Sequence, residues 1–183
     1  PINYLLETSE TPVFYQSDAA ADLQSAEGSR KAYPTKIQNA RLIPNEFSLD
    51  VHGFTLENQQ SLVTDFHDDF QLKSVYEPEL EKLLSKLTGC REIVIFDHTF
   101  RSSAAGNRET YNSRPPVAAP HSDYTDNSAH ERLRDVMGDV AKEKQKNRFA
   151  IINAWRSING TIEEWPLAVC DSRTIDEKLM ITT

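Results

Sequence analysis

Apolar positions recur at helical spacing in two places and alternate at strand spacing in several others. In residues 76–89, YEPELEKLLSKLTG, Leu80, Leu83, Leu84 and Leu87 fall on one face of a 3.6-residue period. Pro78 suits a first helical turn, Lys86 suits a last one, and Gly89 is a stop signal. The pattern predicts a helix over 76–89. A second stripe, Leu133, Val136, Met137 and Val140, follows Ser128 and Glu131, which have capping-box spacing. It predicts a capped helix just after residue 127.

REIVIFDHTFR (91–101) is rich in β-branched residues and predicts a buried strand. LIPNEFSLDVHGF (42–54) predicts two short strands around a turn. NRFAIINAWRSI (147–158) and WPLAVCDSR (165–173) predict two more strands. Residues 16–35 are small and polar without a period, and read as a loop. Residues 102–120 form a second, longer loop that leads into His121; loops of that length usually act as lids or lack order. No internal repeat is visible. Strands outnumber helices late in the chain, so the expected class is mostly β, antiparallel, with flanking helices.

Composition narrows the partners. The 183 residues fit one domain with a real core, although the apolar fraction of 38% is on the low side. A net charge of −8 argues against nonspecific nucleic-acid binding, which needs a basic surface. The first ten residues lack the basic and apolar regions of a signal peptide, and runs such as IVIF and FAII are too short to span a bilayer. Cys90 and Cys170 form no CxxC pair and no disulfide framework. The expectation is a soluble, cytoplasmic protein that binds neither nucleic acid nor membrane. Neither cysteine has a nearby basic residue to activate it, so burial is expected for both.

The candidate chemistry sits at His121 and Asp123, in PVAAPHSDYT. In an extended segment, residues i and i+2 point to the same side. An imidazole and a carboxylate so placed make two-thirds of the 2-His-1-carboxylate triad that holds Fe(II) with open positions. Two polar residues in a loop are the plain alternative, because a chance His-x-Asp is common in a chain with five histidines. His67, Asp68 and Asp69 repeat the pattern and read as surface or helix-terminal polarity. His98 reads as a hydrogen-bonded core histidine, and His130 as a solvent-facing residue of a first helical turn. Trp155 shares a strand face with Phe149, Ile151 and Asn153, so core packing is its default. A buried Asn153 amide would need partners. Arg156 points to the opposite face, where solvent is the plain expectation. No serine-nucleophile motif, P-loop or dinucleotide fingerprint is present.

Five segments, taken in order, carry a resemblance over nearly the whole chain: FSLDVHGFTL, DFHDDFQLKSVYEPELEKLLSKLTGC, VIFDHTFR, RPPVAAPHSDYT and RFAIINAWRSINGTIEEWPLAVCDSR. Together they resemble the CmcJ/AsaB-like hydroxylase/desaturase family, common in fungal secondary-metabolite clusters and with a relative in bacterial cephamycin biosynthesis. The NAWRSI…WPLAVCDSR block and the FDHT-R segment are the most specific parts. The resemblance implies a double-stranded β-helix, or jelly roll, with Fe(II) and 2-oxoglutarate as cofactors and a small molecule as substrate. It implies His121 and Asp123 as the first two iron ligands. Asn153 or Arg156 is then the candidate contact for a co-substrate carboxylate, and Arg101 and Trp155 are candidate substrate contacts.

In this family the third ligand, a histidine, comes well after the CDSR block and is followed by a basic residue for 2-oxoglutarate. After Asp123 this sequence has only His130, inside the predicted helix. The resemblance therefore implies that residues 1–183 are the N-terminal part of one longer oxygenase-like domain. A short homologue that has lost iron, and a partner chain such as a homodimer mate completing the site, are the other readings. The expected function is hydroxylation or desaturation of a natural-product intermediate. The rival is a catalytically inactive jelly-roll protein acting as a binding or accessory subunit.

Overall fold

The computed structural model of the chain describes residues 1–6, 13–14, 26–27, 30–43, 47–176, 178 and 180. Strand β1 (Ile2–Leu5) pairs antiparallel with β4 (Arg30–Tyr33), from Ile2 opposite Tyr33 to Leu5 opposite Arg30. Between them in sequence, β2 (Val13–Phe14) pairs antiparallel with β3 (Ala26–Glu27). The loop expected over 16–35 thus contains two strands, and residues 16–25 and 28–29 lie outside the described residues. The period was invisible because β4 is exposed along its whole length. A ribbon with no buried face needs no apolar alternation.

Among the described residues of 42–54 there is no strand. Leu42 ends a 3-10 turn (Ala40–Leu42), residues 44–46 lie outside the described residues, and α1 (Leu49–His52) makes one helical turn. Ser48 and Gly53 bracket that turn as N-cap and left-handed C-cap, the pattern of a short helix. The Ser48 N–H donates to His52 Nδ1 at 3.1 Å, and the buried His52 ring packs edge-on to Phe47. The CDSR segment docks here. Ser172 Oγ donates to the Val51 carbonyl at 3.0 Å, and Gly53 leaves just enough room, since a Cβ on it would meet Ser172 Cβ at 3.4 Å.

The main helical spine runs without a break from Asp69 to Thr88: α2 (Asp69–Gln71), a π-helical turn (Leu72–Tyr76) and α3 (Glu77–Thr88). It starts a full two turns before the sequence pattern predicts. Asp68 supplies the start, accepting from the Phe70 N–H at 2.9 Å. Gly89 ends it in the left-handed conformation, as expected. Leu72, Tyr76 and Leu80 form the buried cluster, against which Val63, Phe66, Ile95 and Phe100 pack. Glu79 holds the incoming chain by accepting from Ser61 Oγ and the Leu62 N–H at 2.5 and 2.8 Å.

Residues 102–120 are not an open loop. They contain α4 (Ala105–Tyr111), held by stacking of Tyr111 on His67 with ring centroids 3.9 Å apart. Helix α5 (Asp126–Met137) has Thr125 as its N-cap in a reciprocal box with Ser128, so Ser128 is the third helical residue and not the cap. A 3-10 turn (Gly138–Val140) leads into α6 (Ala141–Lys144), where Ala141 is buried.

Residues 91–101, 147–158 and 165–173 are expected strands, yet none belongs to a hydrogen-bonded ladder among the described residues. An isolated parallel bridge joins Arg101 to Arg114. Alternation specifies an extended chain, but a strand also needs a partner. The consequence is exposed apolar surface at Val94, Phe96, Leu167 and Val169.

Two measurements check this packing. Replacing the buried Leu72 with Ala should lower unfolding stability by about 2–4 kcal/mol in a denaturant titration. The second concerns Asp171, drawn down to about 2 chiefly by side-chain hydrogen bonding from Arg173. An NMR titration should give a midpoint near pH 2, returning to the ordinary carboxylate range in Arg173→Gln. The folded value lies below the unfolded one, so the stabilisation is present above the ordinary carboxylate range and is lost as pH falls toward about 2.

Candidate functional site

Prolines shape the approach to His121. Arg114, Pro115 and Ala119 each precede a proline, which disfavours the helical region and keeps the segment extended. Ala119 then presents its carbonyl to His121 Nδ1 at 2.9 Å. A carbonyl only accepts, so Nδ1 carries the proton and, in the neutral ring, Nε2 carries the lone pair. That Nε2 lies 3.3 Å from Asp123 Oδ1. Two residues beyond Asp123 the Thr125 box starts α5, which gives the loop a rigid base.

In the neutral ring, a nitrogen lone pair and a carboxylate oxygen facing each other repel unless a cation or a proton lies between them. Ligand bonds of about 2.1 Å meeting at about a right angle would separate two donor atoms by about 3 Å. The observed 3.3 Å fits two adjacent positions on one metal ion. The donor set, imidazole nitrogen and carboxylate oxygen, suits iron. Among the described residues no group of three or more His, Cys, Asp or Glu is arranged to hold a metal.

Asn153 reaches the pair from 30 residues away, its Nδ2 donating to Asp123 Oδ2 at 2.5 Å. That bond occupies one carboxylate oxygen and leaves Oδ1 facing His121. Arg101 is also near. Burial, then the like charge of Arg114, holds its pKa below the usual value, while the Asp123 charge opposes them.

Other sequence candidates lie elsewhere. Arg156 is not solvated: its guanidinium sits 5.1 Å from the Phe66 ring centroid and 5.6 Å from that of Tyr76. Its Nη2 donates to the Gln59 carbonyl at 3.4 Å, and its Nε is buried without a partner. Trp155 is 45% exposed, so core packing does not describe it here, and Asn153 is exposed as well. Their face lies away from the Leu72–Tyr76 cluster, which takes Arg156 instead.

His98 is a hydrogen-bonded, half-buried histidine, with Nε2 3.0 Å from Glu77 Oε1. His67 lies between the Phe100 and Tyr111 rings. His130 is not a solvent-facing first-turn residue; it is well inside α5 and packs edge-on to Phe149 at 5.0 Å. Cys90 and Cys170 are free and exposed, because the segments expected to bury them make no ladder among the described residues. Sequence reasoning missed Arg114 and the Ala119 carbonyl. The Arg-Pro-Pro and Ala-Pro-His steps, each fixing an extended residue before proline, were the available signals.

The family model described as oxidoreductase/YMDC permease-like domain matches residues 2–183. Among the described residues no helix is long and apolar enough to cross a membrane. The chain is 27% identical over 166 residues to an alpha-ketoglutarate-dependent dioxygenase, phiK, of a fungal species, covering 88% of this chain and 60% of that protein. It is 30% identical over 169 residues to the hydroxylase/desaturase CTB9 of Cercospora beticola, covering 84% and 52%. It is 27% identical over 148 residues to the Fe(II)/2-oxoglutarate-dependent dioxygenase nvfI of Aspergillus novofumigatus, covering 78% and 52%. The chain thus spans between about half and three-fifths of the length of these relatives. No solved structure matches. With a family model matched from residue 2 to residue 183 and hydroxylase/desaturase relatives on the same residues, the chain belongs to this oxidoreductase family, in keeping with the CmcJ/AsaB-like resemblance of its motifs.

Proposed function

We propose that the chain is part of an Fe(II)- and 2-oxoglutarate-dependent oxygenase that hydroxylates or desaturates a small natural-product intermediate. The observation that carries the reading is the approach of His121 Nε2 to Asp123 Oδ1, with the His121 tautomer set by the Ala119 carbonyl. The names of the relatives support the cofactors and the reaction class. When bound, Fe(II) with 2-oxoglutarate and O2 supplies an oxidant able to remove hydrogen from an unactivated carbon.

The residues of this chain hold and orient. His121 and Asp123 are the proposed ligands. Asn153 is a positioning residue for Asp123, a role a metal-ligating carboxylate generally needs filled. Remaining ligands come from outside the described residues in this reading, and the double-stranded β-helix is the proposed architecture of the whole protein. A catalytically inactive binding subunit is the competing reading, favoured by the absence of a three-ligand group among the described residues.

Anaerobic titration of the whole protein with Fe(II), followed by assay of succinate release from 2-oxoglutarate in air, decides between them. Tight iron binding with turnover supports the oxygenase. No iron binding and no turnover supports the inactive subunit. On the oxygenase reading, His121→Ala and Asp123→Ala each lose about a hundredfold or more in Fe(II) affinity. His67→Ala and His130→Ala keep the wild-type affinity, since both rings are engaged in aromatic contacts elsewhere. A comparable loss in either control would sink the ligand assignment.

Asn153→Ala should weaken Fe(II) binding by about tenfold or more through a less ordered Asp123. Asn153→Asp should be worse, because it sets a second carboxylate against the first.

A further inference from the structure

We propose that Arg101 and Arg114 form an anion subsite beside the His121–Asp123 pair, one that takes the carboxylate of a small organic acid. The proposal rests on the oxygenase reading only for the acid's role as a substrate; the pairing of the two guanidinium residues stands by itself.

The two residues face each other in the parallel bridge, which is closed by the Arg114 N–H donating to the Phe100 carbonyl at 2.7 Å and the Ser102 N–H donating to the Arg114 carbonyl at 2.9 Å. Directly paired residues project their side chains to the same face, with backbones about 5 Å apart. Arg101 Nη1 donates to the Pro115 carbonyl at 2.9 Å, which folds its guanidinium toward the Arg114 strand. The bridge is braced from both sides. Phe100 packs on the buried cluster, and Ser113 is buried with its Oγ donating to the Asn107 carbonyl.

Neither arginine has a carboxylate within ion-pairing distance among the described residues, where the ion pairs fall elsewhere. Asp123 is the acid close enough to act on Arg101, and its oxygens already face His121 and Asn153. Two like charges are therefore held together, opposed only in part by Asp123, which is already engaged with His121 and Asn153. Folding normally separates such groups, because desolvation and mutual repulsion both work against them. A carboxylate bound between them removes the repulsion and accepts charge-assisted hydrogen bonds from a planar fork. The setting makes the pair selective: with a net charge of −8, most of the surface repels an organic anion. Its place beside the proposed metal ligands would hold an acidic molecule next to the reacting centre.

Two sources of that carboxylate share the same chemistry, the organic substrate and 2-oxoglutarate itself. The test is calorimetric titration of the whole protein with adipate, a dicarboxylate without the keto group that chelates a metal. The same titration is run with 2-oxoglutarate, and with adipamide as the uncharged control. Wild type is compared with Arg101→Gln, Arg114→Gln and Arg101→Lys. The expected result is about a tenfold or greater loss of carboxylate affinity in each Gln variant, with part of it kept by the Lys variant, and no adipamide binding. Loss for adipate alone assigns the subsite to the organic substrate. Loss for 2-oxoglutarate assigns it to the co-substrate. Either sustains the subsite.

Wild-type affinity for both acids in the Gln variants overturns it, as does a wild type that binds neither. If Arg101→Gln fails to fold, Arg114→Gln and Arg101→Lys decide. Fe(II) titration of the same proteins separates the two proposals. Lost acid binding with intact iron binding supports the subsite. A wild type that binds no iron sinks the oxygenase reading, and the acid titrations in metal-free protein still decide the subsite.

Discussion

The packing of Phe100 and Ile95 against Leu72, Tyr76 and Leu80 is the contact on which the rest of the site depends. Phe100 is fixed through its side chain, and its carbonyl then receives the Arg114 N–H. Arg114 leads into Pro115 and Pro116, whose restricted backbone carries the chain in extended form to His121. The order in the His121–Asp123 pair therefore descends from a small apolar cluster on one helix. The π-helical turn lies inside that cluster, since it spans Leu72 to Tyr76. π-turns are uncommon and tend to occur where function constrains a helix. Here it sits where the spine meets the segments that bring in the site.

Much of this organisation was legible in the residues. The leucine stripe and Gly89 located α3 because helix formation depends on local spacing and local stops. The His-x-Asp step located the candidate pair, since two residues in an extended segment need no distant information to face one way. The strands were another matter. Segments 91–101, 147–158 and 165–173 alternate as strands do, but pairing is a relation between segments. The ladders that would pair them are not among the described residues. Short elements failed for a different reason. Helix α4 has no apolar stripe, and the aromatic stack that docks it, Tyr111 on His67, comes from another part of the chain.

Charge placement separates structural arginines from those with work left to do. Arg148 pairs with Asp50 and so ties the start of the 147–158 segment to α1. Arg132 donates through Nε to Tyr124 Oη and lies over the Phe96 ring, linking α5 to the 91–101 segment. Both have partners that explain why a guanidinium stands there. Arg101 and Arg114 share a bridge with each other, an arrangement that electrostatics alone disfavours. The contrast within one chain makes the shared bridge informative.

The 147–158 segment touches both the core cluster and the candidate site. In an extended chain, residues 153 and 156 fall on opposite faces because side chains alternate. Asn153 meets Asp123 on one face, and Arg156 meets Phe66 and Tyr76 on the other. The alternation read from the sequence sent the Asn153 and Trp155 face inward and Arg156 to solvent; here Arg156 packs on the core cluster while Asn153 and Trp155 are exposed, so the inward phase is the opposite of the one expected. The amide went to the candidate ligand and the guanidinium went to the core cluster. Tyr76 registers this contact: burial pushes its hydroxyl up, and Arg156 works in the opposite direction. One extended segment therefore grips the candidate metal ligand with one side chain and the helical spine with another.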